Sequence, residues 1–459
     1  MKKIICTFLV IIFTVPVLSS CYDYKEPNDY AYIISIGIDK GPQQGIYNYT
    51  IQFARPSQIS GGSSEEGGSG KDTISIVNTD APSLYTAINL GNHVISKTFT
   101  LSHTKIIVIS NEIAKESITP LIDYIGRSSD IRPNVYVCIS NGSAKEYLES
   151  LDPVIEINPV KYYELIFENP KASYFPKNDA KNLYFNMKSD IRQSLLPLVG
   201  KAETNKVEKN SEQSESQGSD SGEEQSGTKG HENSNPIGSD ESENAQKRKE
   251  IPINKEGFEF NMKEYVAGEL DIEKLNPSEA IGAAVFKKDK MIGELSNIEC
   301  ELYNIITGNY KGGYAVFYSK ASPKAPITVN IEQQQMPIYR INMKNGNPKI
   351  EIILTLEGDF TSIPNEYYVE KNISEFETEA SYYIKEALLK FLKKTTDEFD
   401  SDIVGFGVYA KKFFFTYDEF NNYNWGEKYK DSEFDVKVNF QIRKTGLIIK
   451  NDKAKRITD

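Results

Sequence analysis

The chain has 459 residues, a formal net charge of −12 and 39% apolar residues, which is the composition of a globular protein of several domains. The acidic charge argues against a nucleic-acid partner, because such a partner requires a basic surface. With three histidines and four cysteines, few side chains are available for acid–base or metal chemistry near neutral pH, and neither a cofactor nor a metal site is predicted.

The first twenty residues have the pattern of a secretory signal. Two lysines precede an apolar run that is short for a membrane-spanning helix and that ends in Leu-Ser-Ser-Cys21. Leu at −3 and Ser at −1 of a cysteine resemble a bacterial lipobox, which predicts cleavage after residue 20 and acylation of Cys21. Two or three acyl chains would then attach the mature protein durably to a membrane. The alternative is an ordinary signal peptide followed by an incidental cysteine.

The remaining cysteines do not indicate a disulfide framework. Cys6 belongs to the predicted signal, while Cys138 and Cys300 lie in apolar elements of different segments. We therefore expect Cys138 and Cys300 to be two buried structural thiols.

Residues 21–151 are predicted to form an N-terminal mixed α/β domain. An apolar run over 31–39 and an alternating pattern over 47–53 indicate a β-hairpin, and the Gly/Ser-rich stretch 61–70 indicates a flexible loop. Strands and helices then alternate along the chain. The predicted elements are a helix opened by Asp80 and Pro82 with Leu84, Ala87, Ile88, Gly91, Val94 and Ile95 on its buried face, a strand over 105–110, a helical region interrupted at Pro120, a strand over 135–139, and a helix capped by Ser143 and Glu146.

Residues 152–310 are predicted to form a middle domain. The pattern is mainly helical from 152 to 200, and it ends at a tract over 201–250 that contains seven basic and twelve acidic residues and almost no large apolar side chain. Such a tract cannot bury enough surface to offset its ordering entropy, so we expect disorder. It is either a linker between domains or an insertion within one. A hairpin over 281–295 and a helix with a Ser296/Glu299 capping box and a terminal Gly308 follow.

Residues 311–459 are predicted to form a C-terminal α+β domain. Strands are expected over 314–318, 328–332, 339–343, 349–357, near 404–410 and over 434–442. A long helix over 374–396 is expected between the fourth and fifth of these, capped by Ser374 with Glu377 and carrying one apolar stripe. The predicted fold class is therefore α+β, with three consecutive mixed α/β domains behind a lipoprotein signal peptide.

Six segments of the chain, in order, resemble the C-subunit or Ger(x)C family of bacterial spore-germination lipoproteins. They are Cys21-Tyr22-Asp23-Tyr24-Lys25-Glu26, Ile36-Gly37-Ile38-Asp39, Leu101-Ser102-His103-Thr104-Lys105, Asp123-Tyr124-Ile125-Gly126-Arg127, Ala284-Val285-Phe286-Lys287-Lys288-Asp289-Lys290 and Asp402-Ile403-Val404-Gly405-Phe406-Gly407. The resemblance covers most of the chain but misses 61–70 and 201–250. Tyr22 stands where the family usually has Trp, which leaves the lipobox unaffected.

The resemblance implies a non-enzymatic subunit of a nutrient germinant receptor that acts in spore germination. Members of the family are anchored on the outer, extracytoplasmic face of the spore inner membrane. They lie beside two integral membrane subunits, an A-type subunit and a transporter-like B-type subunit. Three mixed α/β domains are implied as well. Because the middle domain of the family extends to both sides of the 201–250 tract, the resemblance favours an insertion over a linker.

No residue pattern in the chain indicates catalysis. His-Glu-x-x-His, Cys-x-x-Cys and Gly-x-Ser-x-Gly are all absent from the sequence. His103 is assigned a structural hydrogen-bonding role, since no histidine or cysteine is near it in sequence. Asp39 and Gly37 are assigned to a turn and a strand end, and Asp23 and Glu26 to a solvated tether.

Two other classes remain open at this point. A lipid-anchored extracytoplasmic solute-binding protein has the same anchor and size, but it normally has regular βαβ repeats around a cleft, whereas this chain shows hairpins and an α+β end unit. A lipid-anchored hydrolase needs a catalytic constellation, and the sequence shows none.

Overall fold

The computed structural model describes residues 4–5, 26–54, 73–152, 156, 158–168, 174–189, 191–202, 257–259, 264–270, 276–323, 325–343, 346–364 and 367–446. Cys21 and most of the predicted signal peptide lie outside the described residues. So do the stretch 61–70 and, apart from residues 201 and 202, the 201–250 tract.

The first of two sheets has nine strands. They are β1 (Tyr30–Lys40), β2 (Tyr47–Ala54), β3 (Ile74–Ala81), β4 (Thr98–Thr100), β5 (Ile106–Ser110), β6 (Tyr136–Ser140), β7 (Leu195–Lys201), β9 (Ser278–Lys287) and β10 (Lys290–Leu295). Strand β8 (Gly257–Glu259) belongs to the second sheet. The order is β10-β9-β7-β6-β5-β1-β2-β3, and β4 pairs with the start of β1. β1, β5, β6 and β7 are parallel to one another, and the outer strands are antiparallel.

Helices cover both faces of this sheet. They are α1 (Leu84–Asn92), α2 (Asn111–Glu116), α3 (Thr119–Arg127), α4 (Ala144–Ser150), α5 (Pro159–Glu168) and α6 (Ala180–Met187). Side chains of α1, α2, α3 and α6 share a core with Ile107 and Ile109 of β5, whereas α4 and α5 share a core with Ile106 and Val108 on the opposite face. Strand β5 is therefore buried on both sides, as its continuous apolar sequence requires.

The second sheet has six strands. Besides β8 they are β11 (Gly313–Tyr318), β12 (Ile327–Glu332), β13 (Ile338–Asn342), β14 (Lys349–Ser362) and β15 (Glu433–Lys444). The long strand β14 pairs with β13 and β12 along one edge and with β15, in parallel, along the other. Alternate residues of β12 and β14 are buried, so one face of the sheet packs on the core.

Two further helices complete the core beside the second sheet. Helix α8 (Val369–Asp397) follows α7 (Asn297–Thr307) in the chain and contacts both α7 and β15. Six residues of its predicted apolar stripe are buried, namely Phe376, Ala380, Ile384, Leu388, Phe391 and Leu392. The same core cluster contains Leu195 of β7 and Val285 of β9, so apolar side chains of the first sheet pack with those of the second.

Most of the predicted elements are confirmed. The hairpins β1–β2 and β9–β10, the strands β5, β6 and β11 to β15, and the break between α2 and α3 before Pro120 all appear within a few residues of the expected positions. Helix α7 begins with the predicted capping box, in which Ser296 and Glu299 exchange hydrogen bonds, and ends at Gly308 with φ 75°. The fold class is α+β, as predicted.

Several sequence assignments are wrong in detail. Residues 195–201 form the buried strand β7 and not a helix, and residues 74–81 form a strand for which none was predicted. Helix α1 is capped by Ser83 and not by Asp80, and Val94 lies beyond it and is exposed. Helix α8 begins at Val369, so Ser374 lies inside it and caps nothing.

The predicted strand near 404–410 is a helix. Residues Phe406–Ala410 form α9, and the short helices α10 (Tyr417–Tyr423) and α11 (Trp425–Lys428) follow it. The apolar sequence of 403–410 resembles a buried strand, but Gly405 adopts φ 87°, a left-handed conformation that ends extended backbone there.

The predicted division into three domains stays a prediction. Strands from both sides of the proposed boundary after residue 151 belong to one nine-stranded sheet. Strand β7, which ends where the 201–250 tract begins, also pairs with β9, the second strand after the tract, since Lys201 lies opposite Ser278.

Candidate functional site

Asp39, at the end of β1, is joined to the start of α4. Its two carboxylate oxygens accept hydrogen bonds from the backbone N–H groups of Ala144 and Lys145, each at 2.8 Å. The hydroxyl of Ser143 accepts a third bond, from the N–H of Glu146 at 3.3 Å. Because the first N–H groups of a helix have no partner within it, these contacts stabilise α4 and hold it against the central strand.

Gly37 allows the same helix to approach β1 closely. A Cβ atom added at Gly37 would lie 2.9 Å from Cδ1 of Leu148 and 3.4 Å from the backbone of Ala144. Gly37 and Asp39 therefore serve the packing of α4 on the sheet, and both lie within β1, whereas the sequence assigned Asp39 to a turn and Gly37 to a strand end.

A polar cleft of about 630 Å³ opens beside Asp39, at the carboxyl ends of β1, β5 and β6. It is lined by Asp39, Lys40, Gly41, Pro42, Asn48, Asp80, Ser110, Asn111, Glu112, Gly142, Ser143 and Lys145. These three strands are parallel neighbours, and in sheets with parallel strands small ligands bind at the edge formed by the carboxyl ends.

Several polar side chains of this cleft already have partners within the protein. Nζ of Lys40 lies 3.1 Å from a carboxylate oxygen of Glu112, and the amide of Asn48 donates to Asp80 at 2.7 Å. Both oxygens of Asp39 are already occupied by α4. The described lining includes neither histidine nor cysteine.

His103 lies in a second and smaller cleft, of about 100 Å³, at the amino end of β5. Its Nδ1 is 2.9 Å from the hydroxyl of Ser102, and its ring meets that of Tyr32 edge to face with centroids 4.8 Å apart. Burial lowers the pKa of His103, and the positive charges of Arg132 and Lys105 lower it further. These contacts hold a neutral imidazole in place, which agrees with the structural role expected for this residue.

Asp402 is buried at the start of α9. One carboxylate oxygen accepts from the N–H groups of Gly405 and Phe406 at 2.8 and 3.0 Å, and the other accepts from the N–H of Gly407 at 2.7 Å and from the indole N–H of Trp425 at 2.9 Å. Burial raises the pKa of Asp402, and the four donated bonds oppose that rise. We call this arrangement the Asp402 cage.

The residues around the Asp402 cage join the two sheets. The N–H of Gln193, just before β7, donates to the backbone oxygen of Asp402 at 3.0 Å, and the hydroxyl of Ser401 donates to the backbone oxygen of Phe286 in β9 at 3.1 Å. Arg192 donates to the hydroxyl of Tyr303 on α7 at 3.0 Å. The segment 401–407 therefore contacts the first sheet while it opens a helix beside the second.

The remaining candidates have structural roles or lie outside the described residues. Cys138 and Cys300 are free and buried, as predicted, and burial raises the pKa of both thiols far above the usual range. Glu26 exchanges local hydrogen bonds with Asp29 at the start of the described chain. Cys21 and Asp23 lie outside the described residues.

Glu301 was not singled out by the sequence. It lies on α7 and is only 4% exposed, and burial raises its pKa to about 8. A carboxylic acid that stays neutral near pH 7 is a common feature of functional sites. Its neighbours are Tyr310, whose pKa is raised by burial and by the charge of Glu301, and the backbone at Gly313. The sequence signal that was available is a charged residue between Cys300 and the apolar pair Leu302 and Tyr303.

The described residues contain neither a metal-binding cluster nor a membrane-spanning helix. No three histidine, cysteine, aspartate or glutamate side chains in the described ranges come together in a way that could hold a metal ion. Within the same ranges, no helix is both long and apolar enough to cross a membrane.

Comparisons with known proteins identify both parts of the chain. A family described as spore germination protein N-terminal domain matches residues 23–201, and one described as spore germination B3/GerAC like, C-terminal, matches residues 281–446. YfkR of Bacillus subtilis (strain 168) is 26% identical over 151 residues, 33% of this chain and 39% of that protein. The spore germination protein KC of the same organism is 24% identical over 151 residues, 32% of this chain and 37% of that protein.

These alignments span less than half of each curated relative. A crystal structure of the GerBC protein covers 89% of this chain and 96% of that one, with 12% identity and a TM-score of 0.48. The family matches leave out the 201–250 tract apart from residue 201, and they lie in the same order as the resembling segments of the sequence. The chain therefore belongs to the Ger(x)C family of spore germination proteins, the C-subunit family of germinant receptors.

Proposed function

We propose that the protein is a non-enzymatic, lipid-anchored subunit of a nutrient germinant receptor that acts through assembly and signalling. The observation that carries this proposal is the match of the two germination families, in order, to residues 23–201 and 281–446. The geometry of the candidate residues supports the non-enzymatic part. The carboxylates of Asp39 and Asp402 have both oxygens occupied by backbone and indole N–H groups, so they hold the fold together.

The proposed partners are a lipid membrane, contacted through acylated Cys21, and the A-type and transporter-like B-type integral membrane subunits of the receptor. The proposed location is the extracytoplasmic face of the spore inner membrane. Support comes from the lipobox in the sequence and from the family to which the chain belongs. In this arrangement the two sheets present contact surfaces to the integral subunits.

The anchor is tested by the variant Cys21→Ala. We expect it to be released from membranes or to stay unprocessed, because no acyl chain can then form at residue 21. The matched control is Cys6→Ala, which changes a cysteine within the same N-terminal segment and should leave attachment unchanged. If Cys21→Ala is cleaved normally and still resists high-salt and carbonate extraction, acylation is not what holds the protein.

Assembly is tested by co-purification from detergent-solubilised spore membranes, in which the integral subunits should accompany this chain. Substitutions of His103, Asp39 or Asp402 should lower germination only in proportion to the loss of folded protein or of assembled receptor. If one of them abolished germination while subunit level, assembly and thermal stability were unchanged, a localised chemical or ligand-binding site would have to be accepted.

The polar cleft beside Asp39 favours one alternative, a lipid-anchored solute-binding protein. Its position at the carboxyl ends of parallel strands and its volume of about 630 Å³ suit a small polar ligand. Equilibrium binding of amino acids and sugars to the purified protein distinguishes the two functions. Tight binding by the protein alone favours the solute-binding function, and absence of binding favours a subunit that works within a complex.

A further inference from the structure

An unusual cluster of exposed aromatic and apolar side chains lies between Val408 and Tyr417. Phe415 is 99% exposed, and Val408, Tyr409, Phe413 and Tyr417 are between 43% and 58% exposed. Five of the large apolar side chains that are exposed in the described part of the chain thus fall within ten consecutive residues. Exposed apolar side chains that are grouped together mark a contact with another molecule more often than single ones do. We call residues 408–417 the aromatic loop.

The aromatic loop is held in place from the inside. Phe414 points toward the core and packs against Phe420 and Tyr423, with ring centroids 5.3 and 5.2 Å away. The N–H of Phe415 donates to Glu419 at 2.9 Å, and Thr416 caps α10 by accepting from the N–H of the same glutamate at 3.2 Å. The exposure of Phe413 and Phe415 is therefore a property of the folded loop and does not come from a frayed end.

The Asp402 cage fixes the other side of the loop. It opens helix α9, which leads directly into residues 411–417, and its Trp425 donor belongs to α11, on the far side of α10. Both ends of the aromatic loop are thus tied to one buried carboxylate. A loop that is ordered before it binds loses little conformational entropy when it meets a partner.

Two adjacent lysines give the loop a positive charge on an acidic protein. Nζ of Lys411 lies 5.2 Å from the ring centroid of Tyr417, and Nζ of Lys412 lies 5.4 Å from that of Phe413. Neither forms an ion pair with any carboxylate in the ranges that the structure describes. The chain as a whole has a net charge of −12, so this pairing of lysines with exposed rings contrasts with the rest of its charge.

We propose that the aromatic loop is a second membrane contact, in which Phe413, Phe415 and Tyr417 enter the interface of a bilayer with anionic headgroups. Aromatic rings favour the boundary between headgroups and acyl chains, and each nearby lysine is attracted to anionic lipid. Lys411 and Lys412 lie beside the rings and meet the headgroups as the rings enter. Two acidic residues follow the loop and are exposed: Glu419 accepts from the N–H of Phe415, and Asp418 lies in the first turn of α10.

This proposal rests on the proposed function in one respect: lipid attachment is what brings the loop to the bilayer. Attachment and loop insertion are separate events, and they can be measured separately. The chain has one tryptophan, Trp425, which is 2% exposed and therefore gives a constant background. The variant Phe415→Trp places a second indole at the tip of the loop, where it disturbs no packing.

The experiment uses the full chain reconstituted on vesicles of phosphatidylcholine with or without phosphatidylglycerol. Flotation reports attachment, and quenching of tryptophan emission by brominated acyl chains reports insertion. Phe415→Trp should be quenched and blue-shifted on vesicles that contain phosphatidylglycerol. The control is Phe185→Trp, at a 60% exposed position on α6, and its emission should be neither quenched nor blue-shifted. Adding Lys411→Gln and Lys412→Gln should abolish the quenching, whereas Lys371→Gln with Lys390→Gln, which removes the same charge from α8, should leave it intact.

High salt gives an independent check on the lysines. In about 1 M salt the Debye length is about 3 Å, so the quenching of Phe415→Trp should weaken while flotation persists. A protein that floats but whose Phe415→Trp is quenched no more than Phe185→Trp would overturn the loop proposal and leave the anchor intact. Quenching that appears only when the integral receptor subunits are present would also overturn it, in favour of a protein partner. A chain that does not float contradicts both proposals.

Discussion

At the scale of single residues, two aspartates perform the same task at distant places. Asp39 and Asp402 each accept hydrogen bonds from backbone N–H groups at the start of a short helix, α4 in one case and α9 in the other. The partners of Asp39 lie more than one hundred residues away in sequence, whereas three of the partners of Asp402 lie within five residues. Of the two, only the Asp402 cage has a local sequence signal, which is an aspartate shortly before a helix. The helix itself was missed because the apolar residues 403–410 resemble a strand.

Removal of the Asp402 carboxylate should destabilise the protein strongly. In Asp402→Ala, three backbone N–H groups and the indole N–H of Trp425 lose their acceptor in a buried site, and each such loss costs about 1–3 kcal/mol. We expect the free energy of unfolding, measured by urea denaturation, to fall by at least about 3 kcal/mol. Asp402→Asn keeps one acceptor oxygen and should lose less. Asp397→Ala, at the exposed end of α8, is the control and should change stability by less than about 0.5 kcal/mol. Equal effects at both positions would contradict the cage.

Glu301 should make stability depend on pH. Its pKa is about 8 in the folded protein and 4.5 as an ordinary side chain, so between these values the unfolded chain is ionised while the folded chain holds the proton. At residue 301 the folded state binds more protons, so the contribution of Glu301 to stability is complete below pH 4.5 and is lost as pH rises toward 8, by up to about 1.4 kcal/mol per pH unit.

The measurement is urea denaturation at several pH values between 5 and 8, for the wild type and for Glu301→Gln. We expect the variant, which cannot ionise at residue 301, to lose the downward slope. Glu269→Gln serves as a control. Glu269 is exposed, so this variant should keep the downward slope of stability with pH. A wild-type slope that is identical in Glu301→Gln would assign the pH dependence to other groups.

At the scale of elements, strand β7 shows where periodicity fails. Residues 195–200 read Leu-Leu-Pro-Leu-Val-Gly, and proline and glycine are unfavourable in the middle of a sheet. The structure accommodates Pro197 at an irregularity in the pairing of β7 with β9, between Pro197 and Val199. The strand is buried on both faces, so tertiary packing overrides the local signals. Elements with clear caps or alternating patterns, such as α7, β12 and β14, were predictable because those signals are local.

Two serines give a direct test of helix capping in this chain. Ser296 caps α7 and accepts from the N–H of Glu299 at 3.3 Å, whereas Ser374 lies within α8 and is exposed. Ser296→Ala should lower the free energy of unfolding by about 1 kcal/mol because a helix N–H loses its partner. Ser374→Ala should leave stability unchanged or raise it by a few tenths of a kcal/mol, since alanine favours a helix interior. Similar losses in both variants would mean that Ser374 also caps a helix and that α8 begins there and not at Val369.

At the scale of the whole molecule, the pairing of distant segments was the least predictable feature. The nine-stranded sheet combines β1 to β7 with β9 and β10, which follow the acidic tract, and no local pattern indicates that β7 and β9 are neighbours. The sequence did predict the fold class and the family, because caps, hairpins and the six resembling segments are local. The Asp39 contacts, the cleft and the aromatic loop required the three-dimensional structure, since they depend on which segments meet.

The acidic tract should be dispensable for folding. Its composition gives it few apolar side chains to pack, and β7, which precedes it, pairs directly with β9, which follows it beyond β8. Removal of residues 203–248 shortens a connection, and each halving of loop length changes the closure free energy by only about 0.6 kcal/mol. The thermal midpoint should therefore stay close to that of the intact chain. A Gly/Ser sequence of the same length is the control, because it keeps the span and removes the composition. If the midpoint fell sharply in both variants, residues 203–248 would have to pack on the fold, whereas a fall in the deletion alone would mean that the shortened connection cannot reach.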